Sequence, residues 1–346
     1  MDIGQQLRQA IGIEKPIIQA LMAGVQDWRL AVAVSQAGGL GSIPCGMLTH
    51  EQVLTEINQF RQHSNKPYNL NFFCHQMPTV DTVMLQHWQA KLARFYQHYQ
   101  LQASDEISGL RVPFDQAMAD MLEPIKPPVV SFHFGLPHPD LVAQIKTWGT
   151  TILSSATTVE EAIWLQKNGA DIIIAQGCEA GGHRAMFLTE DPSTQQPTQT
   201  LLVEIIDAVS VPVIAAGGLA TAADIKRMLA NGAAGVQLGT AYLLCDEANT
   251  SALHRQAIQN PHHTTALTNI FSGRLARGIC NKAMHELGNI NASAPTFPYA
   301  SIAMAPLRSK AESLGLNHFS PLWAGSNTAG CRQVSASELT QLLWNG

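Results

Sequence analysis

TTILSSATTVEEAIWLQKNGADIIIAQG, residues 150–177, decides the fold. A short apolar run is followed by a segment of helical composition and then by a second apolar run that ends in glycine. Thr158 stands where a helix N-cap belongs, and Gly169 stands where a left-handed C-cap belongs. Residues 211–243, VPVIAAGGLATAADIKRMLANGAAGVQLGTAYL, repeat this grammar with Thr221 and Gly232. Both helical segments end in Asn-Gly-Ala, so the two stretches read as copies of one βα module. Their apolar runs are nearly continuous instead of alternating, which is the pattern of parallel strands covered on both faces.

Six such runs occur outside the last two, PVIAAGG and GVQLGT: PIIQALMAG (16–24), GGLGSIP (38–44), YNLNFFC (68–74), VVSFHFG (129–135), TTILSSA (150–156) and DIIIAQG (171–177). Eight strands alternating with helices predict a TIM (β/α)8 barrel. A doubly wound sheet, the competing architecture, usually has fewer strands. The expected organisation is a barrel over residues 1–245 with an insertion at 76–127, which is too long for one connector and should hold extra helices. Residues 246–325 lack β-rich runs and read as a smaller, mostly helical lid lobe over the barrel mouth. Residues 326–346 carry a C-terminal helix, N-capped by Ser335, that packs back on the barrel.

The chain has 346 residues, 46% hydrophobic and 14% charged, with a net charge of −5. That supports a sizeable core and gives no basic field for nucleic acid and no cationic amphipathic segment for a membrane surface. The opening residues lack the charged-then-apolar pattern of a secretory leader, and no apolar run is long enough to span a bilayer. Six dispersed cysteines form no C-x-x-C pair, so no metal site or disulfide framework is expected, and the chain reads as reduced and cytoplasmic.

A barrel of this type places its chemistry at the C-terminal ends of the strands. After the seventh and eighth strands stand Gly217-Gly218 and Gln237-Leu238-Gly239-Thr240. Glycines there expose backbone N–H groups to a phosphate, and Thr240 adds a hydroxyl. Met22 ends the first strand and offers a polarizable sulfur to a flat ring. Asn71, in the third, can donate and accept. Gln176 ends the sixth, offering an amide to a heterocycle edge, and Gly181 and Gly182 permit close backbone approach. His183 follows them as a base, a donor or an electrostatic partner. His133, in the fourth strand, is a second histidine at the mouth. Each glycine signal alone also fits an ordinary tight turn, and each histidine also fits a structural role.

Together these residues resemble the nitronate monooxygenase family, formerly called 2-nitropropane dioxygenases. The carriers are QALMAG, AGGLGSIP, NLNFF, SFHFGLP, AQGCEAGGHR, PVIAAGGLATAADI, GVQLGTAYL and the tail PLRSKAESLG…PLWAGS. They run in order through essentially the whole chain, and SFHFGLP with LWAG resembles the class I form. The resemblance implies an FMN-containing barrel with a lid lobe. It also implies flavin contacts at Met22, Asn71, Gln176, Gly181, Gly218 and Gln237 to Thr240, an active-site His183, and Tyr299 lining the substrate space. The implied reaction is oxidation of alkyl nitronates, typically propionate 3-nitronate, by O2 to a carbonyl product with nitrite or nitrate, a detoxification. A monomer or homodimer is expected. Ser326, where glutamine is usual, and Ala303, where a second aromatic is frequent, depart from the family pattern and bear on substrate fit. The rival readings are an FMN-dependent NAD(P)H reductase of the same fold, acting on enoyl thioesters or quinones, and a flavin-free phosphate-sugar barrel enzyme.

Overall fold

The computed structural model describes residues 3–102 and 110–346. Eleven strands follow in chain order: β1 (Ile17–Gln19), β2 (Gly41–Pro44), β3 (Tyr68–Phe73), β4 (Val129–His133), β5 (Thr151–Ala156), β6 (Ile172–Gln176), β7 (Gly182–His183), β8 (Val213–Ala216), β9 (Gly235–Leu238), β10 (Thr265–Thr268) and β11 (Ala276–Ile279). The eight expected runs form one parallel sheet in the order β1-β9-β8-β6-β5-β4-β3-β2. A parallel bridge between Ile18 and Leu40 brings its two ends together, with Gln19 N donating to Leu40 O at 2.9 Å. The barrel is thereby nearly closed, as expected from the sequence.

Local chemistry sets the helices between the strands. The Thr158 side chain accepts from Glu161 N and starts the helix Val159–Lys167; Gly169 follows it at φ +104°, a conformation a side chain would resist. Thr221 and Asp224 form a reciprocal capping box on the helix Ala222–Ala230. Ile43, Leu70, Val130, Ile152, Ile173 and Val236 face this helical layer in one buried cluster. Their strand neighbours Ile18, Leu40, Val129, Leu153, Ile172 and Ile214 point inward and join Leu7 and Ile11 of the helix Ile3–Ile11. That helix plugs the N-terminal end, so the C-terminal rim is left for a ligand. Register aligns the rim, since Gln176 pairs with Ala216 and Ala216 with Gln237.

Residues 246–325 differ from the helical reading at one pair of strands. They are mostly helical, with Ala252–Gln259, Lys282–Leu287 and Ala300–Ser313, but β10 and β11 form an antiparallel hairpin where no β-rich run was expected. Their sequences, TALT and ARGI, mix polar and small residues instead of forming the apolar run that marks the barrel strands. The insertion also divides. Its helix Thr82–His98 contributes Trp88, Leu92 and Phe95 to the lobe's core with Met304, Leu307 and Phe319, whereas its helix Gln116–Leu122 packs in the barrel cluster. The closing helix Ala336–Asn345, capped by Ser335, buries Ala336, Leu339 and Leu343 against the barrel. No helix among the described residues is long and apolar enough to cross a membrane.

Candidate active site

β7 is where barrel and lobe meet. Although Gly182 and His183 belong to the loop after β6, they pair with β11 as the third strand of the lobe's sheet, His183 opposite Ala276. Gly182 has φ +74° and open space where a Cβ would be, so its backbone conformation is what requires glycine. Three more lobe contacts hold this loop. Arg184 N donates to Leu275 O at 2.8 Å, Arg277 Nε to Cys178 O at 2.9 Å, and Arg274 Nη2 to Met186 O.

From the barrel side, the loop is held by two residues the sequence reading handled differently. Gln176 Oε1 accepts from Ala185 N at 2.9 Å, and its Nε2 donates to His183 O at 3.0 Å. Its amide is therefore first a brace for the loop. Arg184, the residue after His183, is fully buried. It donates to Gln176 O at 2.7 Å, Gly177 O at 2.6 Å and Gln195 Oε1 at 2.8 Å. Burial lowers its pKa to about 10, which still leaves it charged at neutral pH. Buried Glu161 adds a further anchor, accepting from Phe187 N at 2.6 Å and Thr157 N at 2.7 Å.

His183 sits in a cage of rings. Centroids of Phe297, Trp323, Phe134 and Phe73 lie 5.5, 5.6, 6.1 and 6.4 Å from its own. His133, at the end of β4, directs Nε2 to His183 O at 3.2 Å, and His75 packs edge-on to Phe297 at 4.8 Å. The Arg274 guanidinium stands 4.1 Å over Phe134 and that of Arg111 5.7 Å over Phe297. Among the described residues no carboxylate pairs with either arginine. His183 is half-buried, and the packed rings strip most of its solvation. That burial, reinforced by the charges of Arg111 and Arg274, pushes its pKa well below the usual imidazole value. Burial likewise lowers His75 and His133 to about 4. The pocket thus holds neutral imidazoles under two arginines, an environment that favours an anion.

Beside it lies the glycine cradle. Gly217 and Gly218 turn out of β8 at φ +122° and +68°. Among the described residues, no intrachain acceptor takes the backbone N–H of Gly218, Gly239 or Thr240. Gln237 Oε1 is buried without a hydrogen-bond partner, which carries a free-energy cost unless a ligand donates to it. Met22 Sδ is 3.7 Å from where a Gly239 Cβ would be, so Met22 overlies this turn. Asn71 lies across the barrel, its Nδ2 donating to Ser131 O and Oγ at 3.1 Å each. Unpaired donors together with an orphaned amide oxygen fit a phosphate joined to a polar heterocycle.

The tail crosses above. Gly325 N donates to Thr240 Oγ1 at 2.9 Å, Ser326 N to Glu179 O at 3.0 Å and Asn327 Nδ2 to Gly218 O at 2.9 Å. A Cβ on Gly181 would stand 2.5 Å from Gly325 N, so the room beside Gly181 is taken by the tail, where the sequence reading had reserved it for a ligand. The Ser326 side chain is exposed. Ala303 is buried in the lobe core, and its carbonyl accepts from Tyr96 OH at 2.7 Å. Tyr299 is buried with its hydroxyl on Pro78 O at 2.9 Å, and Phe297, two residues earlier, is the aromatic of that segment that meets His183. Sequence reasoning missed Phe73, His75, Arg111, Phe134, Arg274, Phe297 and Trp323, which come together only in three dimensions. The structure adds that Phe134, at φ +70°, is a strained backbone position of the kind that collects at functional sites, which the letters SFHFG do not print.

A nitronate monooxygenase family model matches residues 5–346. Nitronate monooxygenases from Pseudomonas aeruginosa and Paraburkholderia phytofirmans are 36% and 37% identical. Each alignment covers 96% of this chain, and 96% and 92% of those proteins. The crystal structure of nitroalkane oxidase from Streptomyces ansochromogenes superposes with a TM-score of 0.89 at 35% identity, over 97% of this chain and 96% of that one. FabK from Thermotoga maritima, at 23% identity and a TM-score of 0.73 over 98% and 94%, shares the fold.

Proposed function

Because the chain belongs to the nitronate monooxygenase family and is an oxidoreductase, we propose that it is an FMN-dependent enzyme that oxidises anionic alkyl nitronates. The reading includes O2 as oxidant, propionate 3-nitronate as substrate, and a carbonyl compound with nitrite or nitrate as products. One observation carries it: two arginines with no pairing carboxylate among the described residues pack on the rings around His183, on the same barrel rim as a cradle of unpaired backbone donors.

The cradle of Gly218, Gly239 and Thr240 would hold the FMN phosphate, Gln237 would meet a donor of the cofactor, and Met22 and Asn71 would flank it. Bound FMN would supply the capacity to take electrons from the substrate. Arg111 and Arg274 would draw the anion in and balance its charge in a pocket where burial strengthens that attraction. Arg111 and Arg274 would thus hold the nitronate's charge. His183, neutral before binding, would stand beside it as an acceptor ready to take a proton from a substrate that arrives as the neutral nitroalkane, and the rings of Phe73, Phe134, Phe297 and Trp323 would exclude water. The six cysteines are all free, in keeping with a cytoplasmic setting.

The test is a visible spectrum of the purified protein followed by aerobic nitronate consumption without NADH. A yellow protein that consumes nitronate unaided supports the reading. A protein whose flavin is bleached by NADH, and which leaves nitronate untouched, is a reductase instead.

A further inference from the structure

The lobe's hairpin turn, residues 269–275, was not assigned any role by the sequence reading, yet three consecutive residues of it act on the candidate site. Ser272 is buried, with Oγ 2.9 Å from His183 Nε2 and 3.3 Å from Arg274 O. Gly273, at φ +91°, lies so close to the 295–297 segment that a Cβ would be 2.1 Å from Pro295 O. That contact locks the turn against the segment that supplies Phe297. Arg274 follows, its side chain over Phe134 and on Met186 O.

A hydroxyl has one proton. A carbonyl oxygen only accepts, so a Ser272 hydroxyl directed at Arg274 O offers His183 a lone pair. The ring nitrogen facing it must then carry the hydrogen. We infer that Ser272 is a positioning residue that fixes His183 as the Nε2–H tautomer, leaving Nδ1 as the ring's acceptor. The device resembles in logic a group that orients a catalytic imidazole by bonding one of its two nitrogens. Two consequences follow for the reaction proposed above, on which the functional part of this inference rests. The ring presents the same nitrogen to each substrate molecule, and the choice is made by the lobe, because β11 and its turn carry Ser272.

The tautomer can be read without substrate. In the purified protein, grown with 15N-histidine, long-range 1H–15N spectra should show His183 with a protonated Nε2 and a bare Nδ1 at pH 7.5. Its signals are assigned by their loss in His183→Asn. The reverse pattern, or an even mixture, overturns the inference whether or not the protein consumes nitronate. Ser272→Ala should raise the Nδ1–H population and lower kcat roughly tenfold or more with FMN content unchanged. Ser272→Thr, which keeps the hydroxyl, should restore both. If Ser272→Ala keeps the wild-type tautomer and kcat, Ser272 is packing alone. Should Ser272→Ala not fold, the wild-type spectrum still decides. A wild-type protein without nitronate activity but with the stated tautomer would sink the proposed reaction and leave the positioning role standing.

Discussion

Arg184 Nη2 donates to the carbonyl oxygen of Gln176 at 2.7 Å, so the residue after the candidate active-site histidine is tied back to the end of the strand that delivers it. With Gly177 O and Gln195 Oε1 also satisfied, one guanidinium fixes the mouth of β6. Replacing it with methionine would keep much of the volume and strand those buried acceptors. Arg184→Met should therefore lower stability by about 2–4 kcal/mol in urea denaturation. A loss within about 0.5 kcal/mol, the scale of an ordinary surface change, would show that the clamp is dispensable.

His183→Asn removes the imidazole while leaving β7 paired with β11. Turnover of nitronate should fall by about 10²- to 10⁴-fold, the usual weight of a positioned acid–base or hydrogen-bonding group. Bound FMN should remain near the wild-type level by absorbance. Unchanged turnover would remove His183 from the reaction.

In the cradle, Gly218 adopts φ +68°, and a Cβ there would lie 3.0 Å from Glu179 Cβ. Gly218→Ala is expected to strain the turn by about 1–2 kcal/mol and to displace its unpaired N–H. FMN retention after dialysis should drop about tenfold. Full retention would move the phosphate site elsewhere.

Arg111→Gln tests the anion-selecting charge. Its effect should be concentrated on a nitronate with a carboxylate tail, whose kcat/KM should fall about 10- to 100-fold, the worth of one charged hydrogen bond. A nitronate with an alkyl tail of equal length should lose much less. Equal losses on both substrates would mean that Arg111 does not read the tail.

Acidity should act on stability before it acts on the chemistry. Buried His75, His133 and His254 have pKa values lowered to about 4, so the unfolded chain binds their protons more readily than the folded one. Stability should hold above about pH 6.5, decline as pH falls towards 4, and level off below that as far as these groups are concerned. The His183 pKa is pushed down in the same sense, so kcat/KM should show no histidine inflection between about pH 6 and 8. A melting temperature independent of pH from 7 to 4.5 would contradict the burial argument, and a rate that climbs as pH drops from 8 to 6 would mean a charged His183 is needed.

Much of this was legible in the order of residues. Thr158 and Gly169, like Thr221 and Gly232, bracket helices by local backbone chemistry, which a sequence carries openly. Unbroken apolar runs such as DIIIAQG announce buried parallel strands because both of their faces are covered. The rim glycines and His183 could be placed because a barrel presents its strand ends on one side.

The rest depended on contacts distant in the chain. β10 and β11 lack an apolar run, and the partner of β11, β7, lies about 90 residues earlier in the chain, His183 opposite Ala276. Gln176 looked like a ligand contact, and the fold makes it a brace, because an amide's use depends on which backbone comes near. Arg111 and Arg274 are ordinary surface-type residues in sequence, and only packing against Phe297 and Phe134 brings their charges to His183. The sequence by itself determined the barrel, since short-range caps and hydrophobic pattern are properties of neighbouring residues. Tertiary structure decided the pocket's charge and the setting of His183, since electrostatics and ring packing depend on distances that chain order does not encode.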